Sequence, residues 1–278
     1  MSELSSKSAY RSETALSHRI EELDSKPQLG LEWPGGVTSD TGQCAAARLG
    51  HFVSIMSRWT EGLVELEVGP RETITPETAD ALAGRSRLVA EIERFDPSLV
   101  AGPMDRIRQH WTPIGRSAYK GAPPSEKHFI APQADQRAAV KPPRFGLYTS
   151  TVSAAGVSMW SALLGLDESM MYRLSRYTWE LEIDSDVTVA EIGSATAWVE
   201  FVCAHARISE GLVYPDWVSI AHEWDAIHVT LPAIAAAQGF HFSTSCGVMA
   251  PAFWDVESTV WLRWCFSGAR LVESVDPD

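Results

Sequence analysis

Four consecutive hydroxyl side chains, Tyr148-Thr149-Ser150-Thr151, stand in the stretch from Lys141 to Trp160, KPPRFGLYTSTVSAAGVSMW, between a rigid Pro-Pro entry and an Ala-Ala-Gly break. The segment from Phe145 to Val152 is β-prone. Alternation along a strand puts Tyr148 and Ser150 on one face, with Leu147, Thr149 and Thr151 on the other. That sets a phenol beside a hydroxyl, an arrangement an ordinary edge strand rich in β-formers would also present. Directly before it, residues 106 to 144 carry Arg106, Arg108, Arg116, Lys120, Lys127, Arg137, Lys141 and Arg144. They read either as a solvated surface offsetting acidic neighbours or as a local anion site. Glu257, in DVESTVWL, opens a late β-forming run and is the remaining isolated carboxylate of interest. His222, Glu223, Asp225 and His228 offer i,i+3 pairs that would suit a metal on one helical face, but Trp224 and Ile227 interleave them and a helix-to-strand change near Ile227 separates His228. Polar packing is the reading taken, and no metal is assigned. Glu180 and Glu182 alternate along TWELEID in the ordinary pattern of a half-exposed strand, and no role is assigned to them.

These residues need a scaffold, and the chain supplies it in three parts. Residues 1–38, rich in Ser, Glu and Lys and ending in LEWPGGVTSD, read as a mobile tail with some helix around Ala15 to Leu23. Residues 39–111 read as a helical subdomain: Leu49, Phe52, Val53, Ile55 and Met56 share one broad face, Thr75-Pro76-Glu77 starts a helix running to about Phe95, and MDRIRQHW forms a third. Residues 112–278 read as an α+β domain. Short β-prone runs punctuated by Gly and Pro are followed by the hydroxyl strand, a helix-like SMWSALLGLDESMMYRL, the strand TWELEID, more β texture in VTVAEIG, a helix capped by Ser194, a helix around Trp217 to Trp224, and β runs at IHVTL and STVWLRWCF. The fold class expected is α+β, with an irregular, mostly antiparallel split sheet and an N-terminal helical subdomain.

Composition narrows the function classes. At 278 residues with 45% hydrophobic content, the chain can bury a sizeable core, and eight of its 11 Trp fall from Trp160 onward. The formal charge of −13 speaks against broad attraction to a nucleic-acid backbone. Cys44, Cys203, Cys246 and Cys265 are scattered with no CxxC spacing, so free or buried thiols in a reducing, cytoplasmic setting are expected rather than a disulfide framework. No run of about 18 apolar residues marks a membrane span. GxGxxG, GxxxxGK[ST], HExxH and GxSxG are all missing, which leaves sites assembled from several strands.

The order of a basic residue on an early strand (Arg116 or His128), the aromatic-hydroxyl strand Tyr148-Thr149-Ser150-Thr151, and the acidic residue Glu257 resembles the ADP-ribosyltransferase superfamily over roughly residues 111–266. The match departs from the family pattern at Ser150-Thr151, which is not a full Ser-Thr-Ser, and at Asp255-Val256-Glu257, which replaces a Glu-x-Glu pair. The resemblance implies a cleft between two small antiparallel sheets that takes NAD as substrate. It implies that Glu257 stabilises an oxocarbenium-like state, Tyr148 stacks on the nicotinamide, Ser150 and Thr151 shape the pocket, and Arg116 or His128 holds the dinucleotide. ADP-ribose would pass to an unknown acceptor or to water. The alternative is a non-enzymatic small-molecule or protein-binding domain with a Trp-rich core, in which the apolar N-terminal helices offer a surface for a homodimer.

Overall fold

The computed structural model describes residues 2–25, 47–56, 73–113, 121–142, 145–154, 156–164 and 176–275. The chain opens with α1 (Ser2–Leu23), followed by α2 over 47–56, β1 (Thr73–Ile74), α3 (Pro76–Ala83) and α4 (Arg87–Phe95). Leu16, Ile20 and Leu23 recur every three or four positions and are buried, so α1 packs into the core. Arg19, fully buried, donates to the backbone oxygens of Ala235 and Gln238. The stretch read as a mobile tail therefore begins with a docked helix. On α2, Leu49, Phe52, Val53, Ile55 and Met56 are all buried. The apolar face expected to receive a second copy is thus used inside the chain's own core.

One helix was expected from Thr75 to Phe95, and two are found. Thr75 caps α3 by accepting from Thr78 N, and Pro76 follows at the first turn as the sequence predicts. The break comes at Gly84–Ser86, where Ser86 caps α4 through Val89 N and Asp24 accepts from Leu88 N at 3.0 Å. Capping groups supplied from α1's end terminate what periodicity alone would continue. The helix read in MDRIRQHW is also replaced. Asp105 turns its carboxylate onto the backbone N–H groups of Ile107 and Arg108, and the chain then enters β2 (Gln109–Trp111).

The remaining elements are β3 (Leu147–Thr151), α5 (Met159–Leu164), β4 (Arg176–Ile183), β5 (Val189–Ile192), α6 (Ala195–Ala204), β6 (Ala206–Ser209), β7 (Leu212–Pro215), α7 (Trp217–Glu223), β8 (Ala226–Val229), α8 (Leu231–Ala237), β9 (His241–Thr244), β10 (Gly247–Val248), β11 (Ser258–Trp261) and β12 (Phe266–Val275). Seven strands form one large sheet in the order β12-β4-β2-β3-β11-β8-β5, antiparallel throughout except for the β5–β8 pair. Small sheets β1-β9-β10 and β6-β7 lie apart from it in hydrogen bonding. The fold is α+β. On one side a core running from Leu16 through Trp198 and Trp254 to Leu262 joins the N-terminal helices to the sheet. A second, aromatic cluster gathers Trp111, Trp179, Trp261 and Phe266. Among the described residues no helix is long and apolar enough to cross a membrane.

The cysteine expectation is corrected. Cys203, near the end of α6, and Cys246, between β9 and β10, form a disulfide with Cα atoms 5.8 Å apart, while Cys265 is a buried free thiol. Sequence spacing could not show this pair, because 43 positions separate residues that only the packing of α6 on the small sheet brings together. Unreduced peptide mapping should recover a Cys203–Cys246 cross-link, with Cys265 labelled only after unfolding. Replacing the pair by serines should lower stability by about 3–4 kcal/mol on the loop-entropy account, read as a shifted urea midpoint.

Candidate functional site

Glu257 stands one residue before β11, beyond its last register pair with β3, Thr259 opposite Thr149. The turn that delivers it is fixed by a buried amide. Gln238 Oε1 accepts from the backbone N–H groups of Trp254 and Asp255, and its Nε2 donates to Asp255 Oδ1 at 2.6 Å. Asp255 is held at a φ of +60°, a left-handed conformation that asparagine and aspartate tolerate best. Gly146, at a φ of +74°, allows the start of β3 to lie against the end of β11. A Cβ there would stand 2.6 Å from the Trp261 carbonyl oxygen.

Four donors converge on the Glu257 carboxylate. Ser150 Oγ donates to Oε2 at 2.9 Å, Thr151 N to Oε2 at 3.0 Å, Thr151 Oγ1 to Oε1 at 2.8 Å, and His228 Nε2 lies 3.0 Å from Oε1. Neither Glu257 nor His228 has any exposed surface. On the far side of the ring, His228 Nδ1 is 2.6 Å from Glu191 Oε2. An imidazole with a carboxylate on each nitrogen is suited to the doubly protonated form, in which both N–H groups donate. Burial alone would lower the His228 pKa, but the hydrogen bonds and charges of Glu191 and Glu257 outweigh it and lift it from 6.5 to about 9.

A second layer fixes the donors. Gln109, buried on β2, donates to Thr151 Oγ1 at 2.8 Å and accepts from Thr149 Oγ1, which itself accepts from Trp261 Nε1. Asp96 closes the end of β3: its carboxylate accepts from Ala154 N at 2.7 Å, Ser98 Oγ at 2.6 Å and Arg108 Nη1 at 2.8 Å. Burial raises the Asp96 pKa, yet these donors, led by Arg108, bring it below the ordinary carboxylate value. Arg108 in turn accepts from Val152 N through its backbone oxygen. The start of β2 and the end of β3 are thereby tied together.

The residues named from sequence divide into three groups. Ser150, Thr151 and Glu257 come together. Tyr148 shares the strand but takes no part: its hydroxyl donates to Pro142 O, and the Lys141 ammonium lies 5.3 Å from its ring centroid. His128 is exposed in a short 3₁₀ turn with its Nδ1 at 3.0 Å from Ser125 Oγ. Arg116 lies outside the described residues. The His222 cluster does not assemble. His222 is exposed, Asp225 accepts from Thr188 and Arg263, and His228 faces Glu257 instead. Sequence reasoning does not reach His228 as a partner of Glu257, nor Glu191, Gln109, Asp96 and Gln238, which hold the ring, the hydroxyls, the strand end and the turn. The one signal available was that His228 alternates with apolar neighbours in a buried strand, which demands a buried partner for it.

The raised His228 pKa has a stability consequence. Its contribution is fully present below about pH 6.5 and is lost as the pH rises through about 9, an effect on the order of 3 kcal/mol. Urea unfolding of the wild type and His228→Gln should show the wild type's advantage narrowing between pH 6 and pH 9.5. An advantage independent of pH would mean that the ring is neutral. No family model matches this chain, and neither the curated proteins nor the solved structures contain a detectable match to it.

Proposed function

We propose that the chain is an ADP-ribosyltransferase-like enzyme that takes NAD as substrate, breaks the nicotinamide–ribose bond and transfers ADP-ribose to an acceptor or to water. The observation that carries this reading is the direct contact of the hydroxyl strand with the late acidic residue, Ser150 and Thr151 on Glu257. In such a reaction the C1–N bond breaks with its electron pair leaving on nicotinamide, a new C1–O or C1–N bond forms to the acceptor, and the acceptor's proton is released. Positive charge develops at the ribose, and a carboxylate kept aimed by Thr151 N and His228 stabilises it once a ribose hydroxyl has taken the place of the Ser150 and Thr151 hydroxyls. The hydroxyls of Ser150 and Thr151 hold the place a ribose hydroxyl would take on Glu257. Arg116 or His128, the latter exposed in a short surface turn, is the candidate for the pyrophosphate.

A second reading, a non-enzymatic binding module, is favoured by two specific observations. Glu257 has no exposed surface, and the Tyr148 ring that would stack on nicotinamide has the Lys141 ammonium close by. The Cys203–Cys246 bridge also argues for an oxidising setting over the cytoplasmic one expected from scattered cysteines.

Nicotinamide release from NAD by the wild type and by Glu257→Gln separates the readings. Release that falls about a hundredfold or more in the variant, with the fold unchanged, supports the catalytic carboxylate. Without release, a melting temperature raised by millimolar NAD leaves an acceptor-dependent transferase, because a ligand bound only by the folded state stabilises it by mass action. Neither release nor stabilisation leaves the binding module.

A further inference from the structure

We infer that Glu191 is a positioning residue that keeps the His228 ring doubly protonated and aimed at Glu257. The catalytic consequence rests on the NAD-cleaving reading above, but the linkage itself does not. β5 and β8 are parallel with Glu191 opposite His228, so the two side chains stand side by side on one face of the sheet. The ring then spans from Glu191 on β5 to Glu257 at the entry of β11, at 2.6 Å and 3.0 Å. Of the three groups, Glu191 alone meets solvent, with 34% of its side chain exposed.

The loop before β2 holds Glu191 in place. Met104 N donates to Glu191 Oε1 at 2.8 Å, and Gly102, at a φ of +59°, leaves room for Oε2, which a Cβ there would approach to 3.0 Å. Arg106 acts on Glu191 by its charge, its guanidinium anchored on the backbone oxygens of Ser185 and Val187. On the β11 side of β8, Glu257 is, among the described residues, the titratable group that meets the ring. The proton on His228 is thus governed by two carboxylates and, through Glu191, by one arginine. Burial raises the Glu191 pKa, but the hydrogen bond and charge of His228, the Met104 N–H and the Arg106 charge together outweigh it, leaving Glu191 below the ordinary value. Without Glu191, the buried ring would keep one carboxylate against the full cost of desolvation and would release its proton nearer neutrality. Glu257 would then face a neutral ring and lose the imidazolium that opposes its charge.

The test is an imidazole NMR titration of the wild type, Glu191→Gln and a control, Glu180→Gln, whose carboxylate lies on β4 beside Arg270. His228 should hold its proton to about pH 9 in the wild type and in the control. In Glu191→Gln its proton affinity should fall at least tenfold. Should that variant fail to fold, Glu191→Asp, whose shorter side chain withdraws the carboxylate from Nδ1, should shift the titration in the same direction. An unchanged His228 titration in the folded Glu191 variant overturns the inference. Where the wild type releases nicotinamide, the alkaline limb of its pH profile should move down by the same amount in Glu191→Gln, with kcat falling and KM little changed. Absence of release in the wild type defeats the NAD reading alone, and the titration still judges Glu191.

Discussion

A carboxylate removed entirely from water costs several kcal/mol in lost hydration, and the protein keeps Glu257 there only because every direction around its oxygens is met. Two hydroxyls, one backbone N–H and one imidazole converge on it, and they come from two separate strand pairings. The hydroxyls and the N–H require β3 to reach its end beside the entry of β11. The imidazole requires β8 to pair with β11 in the one register that sets His228 opposite Thr259. A slip of one residue in either pairing would turn these side chains to the opposite face and leave a buried charge unpaired. The satisfaction of this one carboxylate therefore fixes the register of the sheet's centre.

The constraint spreads outward through buried polar groups. Gln109 and Trp261 hold Thr149 and Thr151 from the neighbouring strands, so the hydroxyl directions are set by groups that do not touch Glu257. Gln238 fixes the turn that feeds Glu257, and the backbone oxygen of the same residue accepts from Arg19 on α1. Burial drives the Arg19 pKa down to about 9, with the Glu22 charge acting the other way. The N-terminal helix is thus connected to the candidate site through Gln238 and the turn that leads to Glu257. This connection explains why α1 is anchored at residues 16 to 23: the C-terminal end of α8 receives the Arg19 guanidinium.

How much of this could be read in the sequence follows from the range of each interaction. Period and capping are local, so the apolar face of α2, the Thr75 and Ser194 caps and the alternation in β4 are all visible in short windows. The hydroxyl strand and the acidic entry to a late strand are local too. Four things are not. Asp24 reaches across 64 positions to Leu88 and ends one helix where the pattern continues. Gln109–Trp111 carries a helix-compatible pattern and becomes a strand because β3 and β4 offer open edges to it. Helix α8 is apolar on every side, so it shows no period at all. The Glu191–His228–Glu257 set belongs with these, since a parallel pairing between β5 and β8 is what makes Glu191 and His228 neighbours.

The completeness of the network around Glu257 bears on what could use it. Freeing the carboxylate without replacing its donors costs about 3–5 kcal/mol. A ligand that depended on such an opening would bind roughly a hundred to several thousand times more weakly than its contacts warrant. A ligand that brings its own hydroxyl donors avoids most of that penalty, because one O–H···O⁻ bond is exchanged for another of the same chemistry. Ser150 and Thr151 are the donors most easily exchanged, since each can rotate its hydroxyl elsewhere, whereas Thr151 N and the His228 ring are fixed by the strands. The burial of Glu257 therefore selects strongly among ligands: apolar or purely anionic molecules gain nothing from it, and a polyol such as a ribose can displace two hydroxyls while the imidazolium and the backbone N–H keep the carboxylate aimed.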